Sequence, residues 1–328
     1  MFASGTQKHH WMFHSTEEIV LLRQEANQRF VGDFGKGMDE QTRDKTFLTA
    51  EEEKLMMQHF EFILREFCKK FQPTMPKYVQ GTALTYFKRF YIHNSIMDYH
   101  PRDLMLTCVY LACKVEEFNV SISQFVGNLK GDRDKFANII LGFELLLMDK
   151  LHYHLTVHNP FRPLEGFLID LKTRQFKNKP DDVERLRKNA EDFVERSLAT
   201  DTCLIFSPSQ IALAGIIYSA AESRVSIDSY VTGVLMQKAP NEEIKKMANQ
   251  IKKLKQMVKH QPSLQRDLIG PVQRKLEACR NQANNPESDT YKRRLEEMFE
   301  EEEEERSRKR QKVTEQEQRA ISELLGNE

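Results

Sequence analysis

Two charged residues stand where the surrounding sequence is apolar. Lys114 directly follows an apolar run in LACKVEEF, and Glu144 lies inside FELLLM, from Phe143 to Met148. A carboxylate among apolar neighbours is costly unless it meets donors. A lysine at the end of an apolar helix is favoured by the helix dipole and can lift its ammonium to water. Two readings follow: an internal ion pair between the two, or anchors of a surface meant for another molecule. His152, His154 and His158 are close enough together to raise a metal site. However, residues two apart do not share a helix face, and no cysteine or carboxylate pattern typical of zinc accompanies them. Polar connecting residues are the simpler reading. Gly32, Gly35 and Gly37 follow a helix rather than leading from a strand into one, which argues for a connection and against a phosphate cradle. No Gly-x-Ser-x-Gly, His-Glu-x-x-His or kinase signature is found, so nothing in the chain argues for catalysis.

The elements that must place Lys114 and Glu144 read as helices almost throughout. Ser15 with Glu18 has capping-box spacing and precedes a stripe of Ile19, Leu22, Ala26 and Phe30. Thr49 with Glu52 repeats the spacing ahead of Met56, Phe60, Ile63, Phe67 and Phe71. Pro76 suits the first turn of a third helix with a stripe of Val79, Ala83, Tyr86 and Phe90, and with Lys88 and Arg89 expected on its outer side. Two segments differ from these. Leu104 to Ala112 and Ile211 to Ala221 are apolar or small on every side, so each must be surrounded by protein. Pro101 and Pro208 open them, the second with Ser207 as N-cap.

These prolines are 107 positions apart, and the same offset carries Leu104 onto Ile211, Val109 onto Ile216, Ile140 onto Met247 and Leu147 onto Leu254. The register indicates a duplicated helical unit of about a hundred residues, each copy wrapped around one buried helix. No run alternates with period two long enough for a sheet, so the fold class expected is all-α. The offset also carries Lys114 onto Ala221 and Glu144 onto Ile251. The second copy keeps the core and drops both charges. A pair needed merely to hold the unit together would be expected twice, so the two charges are assigned to a surface that only the first copy uses.

Composition bounds the remaining possibilities. The chain has 328 residues with 49 Lys and Arg against 49 Asp and Glu, and its five cysteines form no Cys-x-x-Cys pair, so neither a disulfide framework nor structural zinc is indicated. No apolar run has the length of a membrane span, and the opening residues do not read as a signal peptide, which points to a soluble, intracellular setting. From Asn284 onward there are 14 acidic and 9 basic residues, leaving 35 and 40 before it, too small an excess to argue for nucleic-acid binding. Glu300 to Glu305 followed by Arg306, Arg308, Lys309, Arg310 and Lys312 should be disordered, or at most a solvated helix. The basic cluster reads equally as a nuclear-localisation candidate or as part of that solvated segment.

YFKRFY (Tyr86 to Tyr91), HPRDLMLTCVYLACKVEEFNVS (His100 to Ser121) and FELLLMDKL (Phe143 to Leu151) resemble the box of the cyclin family. HHWMF (His9 to Phe13) and HNPFRPLEGFLIDLKTR (His158 to Arg174) resemble its H-type branch, over about Lys8 to Cys279. The resemblance implies two tandem five-helix cyclin-box domains with flanking N- and C-terminal helices. The expected organisation is an N-terminal extension with a helix over 1–48, boxes over 49–155 and 156–262, a C-terminal helix over 263–283 and a disordered acidic and basic tail over 284–328. It implies a regulatory subunit without catalysis or cofactor, partnered by a cyclin-dependent kinase catalytic subunit, a RING-finger assembly factor and the TFIIH core. That assembly acts in the nucleus on the activation loops of other kinases and on the tail of RNA polymerase II. Carried over residue by residue, Lys114 and Glu144 meet backbone groups of the kinase, and Val115, Met148 and Tyr153 line the apolar part of the contact. Glu117 and Phe118 are added as neighbours.

Two departures qualify the resemblance. EEEKLMMQHFEFILREF lacks the substrate-docking pattern of cell-cycle cyclins, and no Arg-x-x-Leu destruction box occurs, so a steadily present cyclin is expected. The nearest alternative is a C-type transcriptional cyclin of the Mediator kinase module. The other is a TFIIB-like nucleic-acid-binding factor, which needs a strongly basic face; Lys245, Lys246, Lys252, Lys253, Lys255 and Lys259 do line one helix. Opposite an apolar stripe that face is most simply solvated.

Overall fold

The computed structural model describes residues 2–176, 180–237, 239–261 and 265–324, and among these there are helices and no strand. A 3-10 turn at Phe2–Ser4 leads into α1 (Thr6–His10), α2 (Thr16–Phe34) and α3 (Glu40–Thr46). The first repeat is α4 (Ala50–Lys70), α5 (Lys77–His93), α6 (Pro101–Val115), α7 (Ile122–Val126) and α8 (Arg133–Lys150). The second is α9 (Phe161–Arg174), α10 (Pro180–Ser197), α11 (Pro208–Glu222), α12 (Asp228–Tyr230) running into a π-helical turn at Val231–Leu235, and α13 (Asn241–Lys259). Then come α14 (Arg266–Cys279) and α15 (Asp289–Leu324). Residues through Cys279 pack as one unit, and those from Arg280 form another. The expected boundary after residue 262 lies outside the described residues.

The duplication read from the sequence appears helix by helix. α6 and α11 each have 15 residues, start 107 positions apart and sit at the centres of their repeats. In α6 every residue from Leu104 to Cys113 is buried. α11 buries Ile211 to Ile216, with Ser207 and Gln210 forming a complete capping box at its start. Each centre belongs to its own apolar cluster, and Phe161 packs against both. Val272 and Leu276 of α14 join the first cluster, while Lys275 Nζ donates to Asp44 O at 2.8 Å and meets Glu52 Oε2 at 2.9 Å.

Local signals held at most helix starts. Thr49 and Glu52 close a full capping box on α4, one such cap being worth about 1 kcal/mol. Ser15 caps α2, but Glu18 reaches back to His14 N instead of Ser15 N, so the second half of the expected box does not form. Along α4 and its C-cap the buried residues include Met56, Phe60, Leu64, Cys68 and, at the cap, Phe71, whereas Ile63 and Phe67 of the expected stripe are only half-buried.

The expectation that Lys88 and Arg89 lie outside α5 is wrong. Lys88 is 2% exposed and Arg89 1%. The ammonium of Lys88 meets Glu61 Oε1 at 2.7 Å and Asp201 Oδ1 at 3.6 Å, and Arg23 of α2 grips Asp201 with two hydrogen bonds of 2.7 and 2.9 Å. Burial alone would raise the Asp201 carboxyl, but the Arg23 and Lys88 cations overcome it and hold the group well below the carboxylate range. Burial raises Glu61, against the pull of Lys88. This four-residue network ties α2, α4, α5 and the segment between α10 and α11 together.

Of the two forms expected for the tail, the structure has the helix rather than disorder: α15 runs for 36 residues. Its charge order favours this form, because Glu304 with Arg308 and Glu305 with Lys309 are acid-first pairs four residues apart, at 3.1 and 3.0 Å.

Candidate functional site

α6 ends in a left-handed turn built without glycine. Glu117 has φ of 58°, its N–H donates to Lys114 O, and Phe118 N–H donates to Cys113 O at 2.9 Å. This double closure is a Schellman motif, which satisfies the last carbonyls of the helix and fixes where Lys114 leaves it. α8 ends the same way: His152 and Tyr153 have φ of 52° and 57°, His152 N–H donates to Asp149 O, and Tyr153 N–H donates to Met148 O. In such a motif the residues at the two ends of the longer hydrogen bond bring their side chains together. At α8 these are Met148 and Tyr153, both carried over for the apolar part of the contact.

α6 and α8 pack side by side and bring Lys114 and Glu144 into an ion pair. The Lys114 side chain is 46% exposed and its ammonium lies 5.3 Å from the Tyr110 ring centroid, while Glu144 is only 14% exposed. Glu144 Oε1 is sealed from solvent, faces the ammonium and has no aligned hydrogen-bond donor. Such a partly exposed pair contributes on the order of 1 kcal/mol or less to folding. The half-exposed Lys114 ammonium keeps donor capacity that a second molecule could use.

Around the pair lies apolar surface. Val115 and Met148 are half-buried, and Tyr153 is 59% exposed. Leu141 and Leu145, at 47% and 63%, extend the same face of α8 at the four-residue spacing. Sequence reasoning missed these two. Its available signal was that α8 holds more apolar residues than Ile140, Phe143, Leu147 and Leu151 need to fill one buried face. Apolar side chains gathered this way mark an interaction surface. Glu117 is exposed beside Lys114, whereas Phe118 turns its ring inward and edge-on to Phe71, with centroids 6.4 Å apart.

The three histidines considered as metal ligands hold the N-terminal segment instead. Trp11 Nε1 donates to His154 Nδ1 at 3.2 Å, His152 stacks on the same indole, and His158 N donates to Gln7 Oε1 at 2.6 Å. Arg89 lies 5.1 Å from the Trp11 ring centroid and donates to His154 O, so the segment lids a buried cation. Burial and the neighbouring His10, His152 and Arg89 charges all lower the His154 pKa. At the junction of the repeats, Asn159 Nδ2 donates to Tyr78 O and to Thr82 Oγ1, and Thr82 in turn donates to Glu116, whose carboxyl is raised by burial. Gly81 permits this approach, since a Cβ there would fall 2.2 Å from Asn159 Oδ1.

The family model of the cyclin N-terminal domain matches residues 36–156, and that of the cyclin C-terminal domain matches 159–259. The chain is 42% identical over 282 residues to "Cyclin-H" of Xenopus laevis, which covers 85% of this chain and 87% of that relative. Among solved structures, a chain of the CAK complex of Chaetomium thermophilum bound to ATP-gamma-S superposes with a TM-score of 0.73 at 25% identity, covering 92% of this chain and 94% of that one. A chain of the yeast TFIIK (Kin28/Ccl1/Tfb3) complex, at 23% identity, a TM-score of 0.58 and coverage of 78% and 99%, supports the fold alone. With both domain models matched in tandem and a relative this similar across most of its length, the chain belongs to the cyclin family, in its H-type branch.

Proposed function

We propose that this chain is the regulatory subunit of a cyclin-dependent kinase, docking it through the α6–α8 face and activating it allosterically, with no catalysis of its own. The observation that carries this reading is the Lys114–Glu144 pair among exposed apolar side chains, present in the first repeat and absent from the second. Lys114 would donate to a backbone carbonyl of the kinase, Glu144 would accept from a backbone amide, and Val115, Leu141, Leu145, Met148 and Tyr153 would cover the apolar part of its movable helix. Glu117 and Phe118 would border that contact. Phosphoryl transfer in a kinase requires an ion pair between a small-lobe lysine and a glutamate on that helix, which activation brings into place. Reversing a 1:99 population takes roughly 5.5 kcal/mol of differential affinity. A few desolvated anchors at the centre of an interface can supply it.

The likeness to a CAK-complex chain favours the CDK-activating kinase as the assembly. We therefore assign the activation loops of other cyclin-dependent kinases and the RNA polymerase II C-terminal domain as its substrates. A RING-finger assembly factor and the TFIIH core would be the further partners. Action there is nuclear, and Arg306, Arg308, Lys309, Arg310 and Lys312 are the segment we assign to import.

Glu144→Ala tests this directly, with Lys114→Ala beside it. Kinase association should weaken by roughly a hundredfold and kinase activation should be lost. Glu144→Ala frees an ammonium that is already half in water, so its unfolding free energy should stay within about 1 kcal/mol of the parent. Intact kinase binding together with a large loss of stability would return the pair to a purely internal role.

A further inference from the structure

The second repeat has a groove where the first has its docking face. The offset of 107 places Ala221 at the position of Lys114 and Ile251 at that of Glu144. The register is structural, because Arg224, at the position of Glu117, repeats its left-handed turn with φ of 53° and Val225 N–H donating to Ala220 O. Here the groove has a volume of about 780 Å³, and both Ala221 and Ile251 line it. Ile217, Met247 and Val258 continue its apolar floor.

The rim is equally changed. Leu141, Leu145, Met148 and His152 of the first repeat are matched by Ala248, Lys252, Lys255 and Lys259, and all four of these line the groove. The three lysines follow one edge of α13 at spacings of three and four, about 10 Å of helix. No ion pair involving them occurs among the described residues. Arg196, another lining residue, adds a cation 5.1 Å from the Tyr218 ring centroid. Glu222 is the sole carboxylate among the described lining residues. The first face is a polar anchor inside an apolar border, and the second is its inverse, an apolar floor inside a cationic border.

We propose that this groove docks an acidic amphipathic helix of another protein. The apolar side chains of that helix, spaced three and four apart, would fill the floor, and flanking aspartates or glutamates would meet Arg196, Lys252, Lys255 and Lys259. Helix-in-groove recognition uses this spacing. The floor argues against nucleic acid, whose phosphates need cations and gain nothing from Ile217, Met247 or Ile251. The concavity argues against a membrane, which receives convex apolar faces.

The test uses a display library of short helical peptides selected against the full chain and counter-screened on two variants. Lys252→Glu/Lys255→Glu reverses the rim, and Ala248→Trp plugs the groove with neutral bulk from an exposed helical position without removing any core atom. Selected peptides should be acidic with apolar residues at i and i+4, should lose at least roughly tenfold in affinity on both variants, and should shift the methyl signals of Ile244, Met247 and Ile251. Both variants should bind and activate the kinase as the parent does, which separates a failure here from a failure of the first-repeat reading. The proposal is overturned if no selected peptide depends on both changes. It is also overturned if a single-stranded oligonucleotide binds and responds to the charge reversal but not to the plug.

Discussion

Lys88→Met removes one member of the buried charge network while keeping the length of the side chain. The ammonium is the only ion-pair partner of Glu61 within 4 Å among the described residues, at 2.7 Å, and both side chains are almost wholly buried. Asp201 keeps its two hydrogen bonds from Arg23, so the damage falls on Glu61. Stranding one buried charge costs about 3–5 kcal/mol, which for a chain of this size lowers the melting temperature by roughly 10 °C. Glu61→Gln in the same chain should recover most of this, since the stranded charge is then gone. The pH dependence has a definite sign. Burial already raises the Glu61 carboxyl, and without Lys88 that rise is opposed less. A raised carboxyl contributes stability at pH values below its unfolded pKa and loses that contribution as pH rises through its folded pKa. The deficit of Lys88→Met should therefore be smaller near about pH 5 than near about pH 8. Urea unfolding followed by circular dichroism, on the parent, both single variants and the double variant at the two pH values, measures all of this. Additive deficits, or a Lys88→Met cost below about 1 kcal/mol, would refute the reasoning.

Glu53 offers a second titration. Burial raises its carboxyl to about 7, against the hydrogen bond from Ser95 Oγ. The stability that it contributes is complete below the ordinary value of 4.5 and disappears as pH passes upward through about 7. Glu53→Gln keeps an acceptor for Ser95, so in denaturant titrations it should match the parent near about pH 4 and exceed it near about pH 8, by up to about 3 kcal/mol; equal stability at the higher pH would show that the charged carboxylate is well accommodated. Gly81→Ala forces a Cβ to within 2.2 Å of Asn159 Oδ1 and should cost about 2–3 kcal/mol. Asn159→Ala in that background should restore part of the loss in a thermal melt, whereas a further drop would place the strain elsewhere.

The central helices were legible because a segment apolar on all sides has one physical solution, and α6 and α11 adopt it. Lys114 and Glu144 were legible for the opposite reason, as charges in apolar context whose counterparts are missing from the other copy. Lys88 and Arg89 were misread because adjacent cations opposite an apolar stripe match a solvated face. What buries them is remote, an Asp201 gripped by Arg23 across 178 positions and a Trp11 lid from the chain's beginning. Leu141 and Leu145 escaped notice because residue type alone cannot separate an exposed leucine from the buried Ile140 beside it. The turns at Glu117 and His152 carried no signal, since neither uses the glycine that normally announces a left-handed residue.

The turn at Glu117 recurs at Arg224 although the helices they close differ in their last charged residue. The two copies of the helical unit thus share a torsion and differ in the chemistry around it. The bend belongs to the architecture, so what evolves on either side of it is free to find a new recipient without the scaffold having to be reinvented.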